Sequence, residues 1–140
     1  MEKGNNSEVI IYQTEDGQTK VEVLFNDNNV WLPLDKIAQL FGRNKSTVSR
    51  HLKNVFEEGE LEQNSVVANF ATTAADGKIY QVDYYNLSAV ISVGYRVKSL
   101  RGIQFRKWAT AVLHEYMQKG FSLTMIFSKV WEAVFIGKSF

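Results

Sequence analysis

Residues 32–56, LPLDKIAQLFGRNKSTVSRHLKNVF, set two short amphipathic patterns on either side of a glycine, and this constrains the fold more than any other stretch of the chain. Leu34, Ile37, Ala38 and Phe41 recur at helical spacing, with Pro33 where a first helical position tolerates a missing N–H. The pattern predicts a helix that stops at Phe41, with Gly42 taking the left-handed backbone of a sharp exit. Asn44 offers a side-chain oxygen to cap a second helix from about Lys45. In that helix Val48, Leu52, Val55 and Phe56 share one buried stripe. Lys45, Ser46, Ser49, Arg50 and Lys53 are then left on the outward face.

Two helices of this kind, joined at a glycine, can be an ordinary α-hairpin with a solvated basic face. The spacing points instead to a helix-turn-helix. Ala38 sits four residues before Gly42, and Thr47-Val48-Ser49-Arg50 follows at the offset of the helix-turn-helix of many bacterial repressors. A helix so placed fits the major groove, where arginine pairs bidentately with guanine and serine serves either base. Carried over position by position, that pattern assigns base contacts to Lys45, Ser46 and Arg50, and phosphate contacts to Thr47, Ser49 and Lys53.

Charge is distributed unevenly, although the formal net charge of the 140 residues is only +1. Residues 1–30 hold six acids and two bases; residues 31–56 hold five bases and only Asp35. Four glutamates follow in 57–62, most simply as a solvated loop. From Tyr84 to His114 the bases Arg96, Lys98, Arg101, Arg106 and Lys107 occur with no acid. If the two basic stretches meet in the fold, Arg96, Lys98 and Arg101 would extend a phosphate-binding face.

The rest of the chain reads as α+β. Strands are expected at about 8–14 and 19–25 around Glu15-Asp16-Gly17, then a short strand over Val30-Trp31-Leu32, with Trp31 packed under the first helix. Residues 65–71 and 78–85 form a second hairpin around Ala75-Asp76-Gly77, with Tyr80, Val82 and Tyr84 as its buried face. Directly after a recognition helix such a hairpin is a wing, and Lys78 near its tip suits a phosphate; the alternative is a plain core hairpin. Asn86 caps a helix through Tyr95, interrupted around Gly94, and a longer helix runs from about Ser99 to Lys119 with Gly120 as its stop. Its apolar stripe is Phe105, Trp108, Ala109, Val112, Leu113, Tyr116 and Met117. The fold expected is thus a winged helix-turn-helix-like domain over 8–121, with an N-terminal hairpin, a second hairpin and a long C-terminal helix. Residues 122–140 form an apolar tail, too short and too charged for a membrane span.

Val82-Asp83-Tyr84-Tyr85-Asn86-Leu87, Gly94-Tyr95-Arg96-Val97 and Phe105-Arg106-Lys107-Trp108-Ala109-Thr110 resemble the RhuM-type virulence protein family of bacteria, over residues 8 to 121. The layout is also similar to the Bro-N and KilA-N DNA-binding domains of phages and large DNA viruses. Those neighbours imply nucleic-acid binding; the virulence label itself implies no biochemical activity. Two departures stand out. Arg43 and His51 occupy places where helix-turn-helix proteins usually carry apolar residues, and residues 123–140 do not resemble the charged helical sequence with which the family continues, as in a truncated or altered product.

No cysteine is present, the two histidines lie far apart, and no phosphate-cradling glycine loop or catalytic set at motif spacing occurs. No enzyme activity, cofactor, metal or small-molecule substrate is therefore expected. The start has no secretory apolar run, so a cytoplasmic protein is expected. The function expected is sequence-specific binding of double-stranded DNA by a bacterial or phage-derived transcriptional regulator. A homodimer would double the short recognition helix, with the apolar tail as its contact. The alternative is an antirepressor-like protein-interaction module.

Overall fold

In the computed structural model, which describes residues 8–120, the chain is an α+β unit built on one antiparallel sheet. The strands are β1 (Glu8–Gln13), β2 (Lys20–Asn26), β3 (Asn29–Pro33), β4 (Val67–Thr73) and β5 (Ile79–Asn86), and they lie in the order β1-β2-β3-β5-β4. The helices are α1 (Leu34–Phe41), α2 (Lys45–Glu57), the single turn α3 (Gln63–Val66), α4 (Leu87–Arg96) and α5 (Leu100–Gly120). Residues 65 and 66, read as strand, belong to α3 instead.

Alternation decides which face of the sheet is covered. Tyr12, Val21, Val23, Phe25, Val30 and Leu32 point inward and are buried, and α1 and α4 pack over them with Ile37, Leu40, Val90 and Val93. Each such side chain, fully buried, contributes on the order of 1.5–3 kcal/mol. Trp31 falls between the inward positions Val30 and Leu32, so it must face the other way. It does not pack under α1. Its ring meets Phe70 edge-on at 5.8 Å, Phe70 meets Tyr84 at 5.2 Å, and the indole N–H donates to the Asn26 carbonyl at 3.0 Å.

The two hairpins are one sheet because β3 pairs with β5, through Trp31 with Asn86, Leu32 with Tyr85 and Pro33 with Tyr84. Residues 79–83 of β5 pair only with β4, so the outer half of this hairpin runs on beyond β3. The face read as buried here is not a core face. Tyr80 is 45% exposed and Val82 and Tyr84 are half-buried, since these positions share the side of the sheet that the helices leave open.

Gly94 does not interrupt α4, which continues to Arg96. Its role is a close approach: a Cβ there would lie 2.9 Å from Phe41 Cζ and 3.2 Å from the Gly102 Cα. Phe105, at the next turn of α5, then meets Tyr12 edge-on with ring centroids 5.2 Å apart. The side chains of Tyr116 and Met117 and the whole of 122–140 lie outside the described residues, and with them the expected dimer contact.

Candidate nucleic-acid interface

The turn between α1 and α2 follows its local chemistry. Gly42 is left-handed at φ 64°, and its N–H and that of Arg43 turn back to the Gln39 and Ala38 carbonyls. Pro33 stands one place before α1 in extended backbone rather than as its first residue. Asn44 Oδ1 accepts from the Thr47 N–H at 2.9 Å and from the Ser46 hydroxyl at 2.9 Å, which fixes the first turn of α2. Val48, Leu52 and Val55 are buried, so Lys45, Ser46, Ser49, Arg50 and Lys53 are all exposed; Thr47 is half-buried.

The second hairpin stands beside this helix. Lys45 shares one groove with Gln81, Asp83 and Tyr85, while Ser49 and Lys53 share the next with Gln63 and, again, Tyr85. Successive residues of a helix turn by about 100°, so Ser46 and Arg50, one position beyond Lys45 and Ser49, stand further out from the hairpin. Asp35 and Asp83 line the Lys45 groove, and Glu57 lines the Lys53 groove. Carboxylates therefore line both grooves beside Lys45 and Lys53, whereas Arg50 lines neither. Lys45, Arg50 and Lys53 have no ion-pair partner among the described residues. Burial first, then the charges of Arg50, Arg96 and Arg43, push the His51 imidazole below its ordinary value, so it adds little charge at neutral pH.

At the hairpin tip Gly77 takes φ 83°, and Asp76 accepts from the Lys78 N–H at 2.8 Å and from the Tyr80 hydroxyl at 2.7 Å. The Lys78 side chain is exposed there. It lies on the outer half of the hairpin, beyond the pairing with β3.

The basic run from Tyr84 to His114 divides between two roles. Arg96 Nη2 donates to Glu58 and to Glu60, each at 2.8 Å, and Glu60 also accepts from the Ser92 hydroxyl at 2.8 Å. Two glutamates of the supposed solvated loop thus tie the end of α2 to α4. Arg101 donates to the Leu40 carbonyl at 2.9 Å and pairs with Asp16 at 3.5 Å. Arg43, in place of an apolar plug, donates to the Phe41 carbonyl at 3.0 Å and to that of Val97 at 3.1 Å. Two guanidiniums therefore satisfy the last carbonyls of α1, which has no basic residue in its own final turn. The sequence reading missed this role of Arg43 and Arg101, and the unserved carbonyls at Leu40 and Phe41 were the only signal for it. Lys98, Arg106 and Lys107 are exposed.

Arg96 and then the Ser92 hydrogen bond hold the Glu60 carboxyl below its ordinary value of 4.5. A carboxyl lowered in this way stabilises the fold above its unfolded value and loses that contribution as pH falls through the folded one. Below about pH 4.5 the melting temperature of the protein should therefore drop more steeply than that of Glu60→Gln. Parallel curves for the two would show that the Arg96 contact adds nothing to stability.

Among the described residues no group of acids and histidines is placed to hold a metal, and no helix is long and apolar enough to cross a membrane. No curated protein and no solved structure matches the chain. Residues 65–129 match the model of the Virulence protein RhuM family, just under half of the chain. The match takes in β4, β5, α4 and α5, leaves out β1 to β3 with α1 and α2, and runs past Phe121 into residues that had been set apart from the family. The resemblance carried by residues 82–87, 94–97 and 105–110 is thereby borne out: residues 65–129 are similar to the RhuM virulence protein family.

Proposed function

We propose that the chain binds duplex DNA sequence-specifically, as a winged helix-turn-helix-like transcriptional regulator, with α2 in the major groove. The observation that carries this reading is the outward row of α2. Lys45, Ser46, Ser49, Arg50 and Lys53 are exposed together on a helix whose first turn is fixed by Asn44, and none of the three cations is taken up by an ion pair among the described residues. A rigid helix end that offers bidentate and hydroxyl donors is what base-edge contact requires. Lys45, Ser46 and Arg50 are assigned to bases. Thr47, Ser49 and Lys53 are assigned to phosphates, joined by Lys78 from the neighbouring hairpin. Arg96 and Arg101 are left out, because their guanidiniums are already held by Glu58 and Glu60 and by Leu40 and Asp16. Glu57 at the far end of α2 repels a phosphate backbone, so the footprint on this helix ends at Lys53.

Selection from a pool of random duplexes with the purified protein tests the reading. Recovery of a consensus is the expected result, and two half-sites about one helical turn apart, or a multiple of it, would add the homodimer. Binding at 50 mM salt that leaves every sequence equal would overturn specific recognition.

A further inference from the structure

The turn between α4 and α5 holds a residue that its backbone does not favour. α4 ends with the Lys98 N–H donating to the Tyr95 carbonyl at 3.2 Å and the Ser99 N–H to that of Gly94 at 3.1 Å. This doubled closure places its left-handed residue, usually glycine, at Lys98, whose φ is 55°. A lysine stands there against the preference of the backbone, and such positions cluster at ligand clamps and switch regions.

What Lys98 frames is an open groove of about 440 Å³ between α4 and α5. Ile91, Tyr95, Leu100 and Ile103 give it an apolar floor, with Tyr95 83%, Leu100 74% and Ile103 47% exposed. Lys98 and Arg106 are its charged residues, no acid lines it, and neither cation has an ion-pair partner among the described residues. Arg96 and Arg101, close by in sequence, are both neutralised within the chain. The cations at the groove are thus the ones left over, and they flank exposed apolar side chains that a phosphate backbone would not use.

We propose that this groove docks a short acidic amphipathic segment of a partner protein. Its apolar side chains lie on Tyr95, Leu100 and Ile103, and its carboxylates meet Lys98 and Arg106. Charge complementarity selects that occupant: apolar anchors at helical spacing fill the floor, and flanking Asp or Glu side chains answer the two cations. The apolar tail of this same chain is a poorer complement, since residues 121–140 carry Lys129 and Lys138 against the single Glu132. The proposal is independent of the reading of α2.

Random peptides of about twelve residues displayed on phage, selected against the full chain, provide the probe. The enriched peptides are expected to carry Asp or Glu beside Leu, Ile or Phe at helical spacing. In fluorescence anisotropy a labelled winner should bind Ile103→Asp, and the double variant Lys98→Gly with Arg106→Gln, at least about tenfold more weakly than the wild type. The double variant should melt no lower than the wild type, because glycine suits the Lys98 backbone. No enrichment, enrichment of neutral or basic peptides, or an acidic winner that binds the double variant unchanged would overturn the proposal. Unchanged peptide affinity together with a reduced salt dependence of DNA binding would return both cations to the phosphate backbone.

Discussion

Replacing Phe105 by alanine should cost about 3–5 kcal/mol, the range for a fully buried aromatic whose neighbours cannot close the space. Phe105 has no exposed surface and anchors the first turns of α5. Its ring lies edge-on to Tyr12 at 5.2 Å and 5.6 Å from Trp108, and Tyr12 in turn lies 4.9 Å from Trp108. These three rings hold α5 to β1, the edge strand. Losing one of them opens a cavity against the sheet and also removes ring-ring contact beyond area burial. Ile103, on the same helix but 47% exposed, provides the control, and its alanine variant should stay within about 0.5 kcal/mol of the wild type. Urea midpoints followed by far-ultraviolet circular dichroism would compare the two. Equal shifts would mean that α5 does not dock through Phe105.

What the sequence disclosed and what it concealed divide by distance along the chain. The left-handed Gly42 and the caps at Asn44 and Asn86 were legible because each acts on residues within three or four positions. Gly94 was misread as an interruption of α4 because the atoms that exclude a side chain there belong to Phe41 and Gly102. Trp31 was misplaced for another reason: alternation within β3 turns it away from α1, and its aromatic neighbours come from the hairpin that β5 brings alongside. The run of bases from Arg96 to Lys107 looked like one surface only because the groups that neutralise Arg96 and Arg101 are contributed from Glu58, Glu60 and Asp16. The same distinction applies to the candidate site. The exposed row of α2 could be read from helical period alone, whereas the position of the hairpin beside it depends on the β3–β5 pairing, which no local pattern announces.

Arg50 and Lys53 should separate recognition from attachment. Arg50 stands on the outer row of α2 with Ser46, four residues earlier, so its guanidinium can enter a groove and pair with guanine. Lys53 lines the cleft shared with Gln63 and Tyr85, at the side of the helix that faces the protein, and its ammonium is suited to a strand passing along that edge. Arg50→Ala should therefore lose about 1–3 kcal/mol on the selected duplex and little on a scrambled one, and should relax the preference at one base pair. Lys53→Ala should weaken both duplexes alike and lower the slope of log affinity against log salt by about 0.9, the value for one phosphate neutralised. Isotherms for each variant on both duplexes, at several salt concentrations, measure the two effects separately. If Arg50→Ala weakened both duplexes equally and Lys53→Ala left the slope unchanged, the outward row of α2 would not be reading DNA.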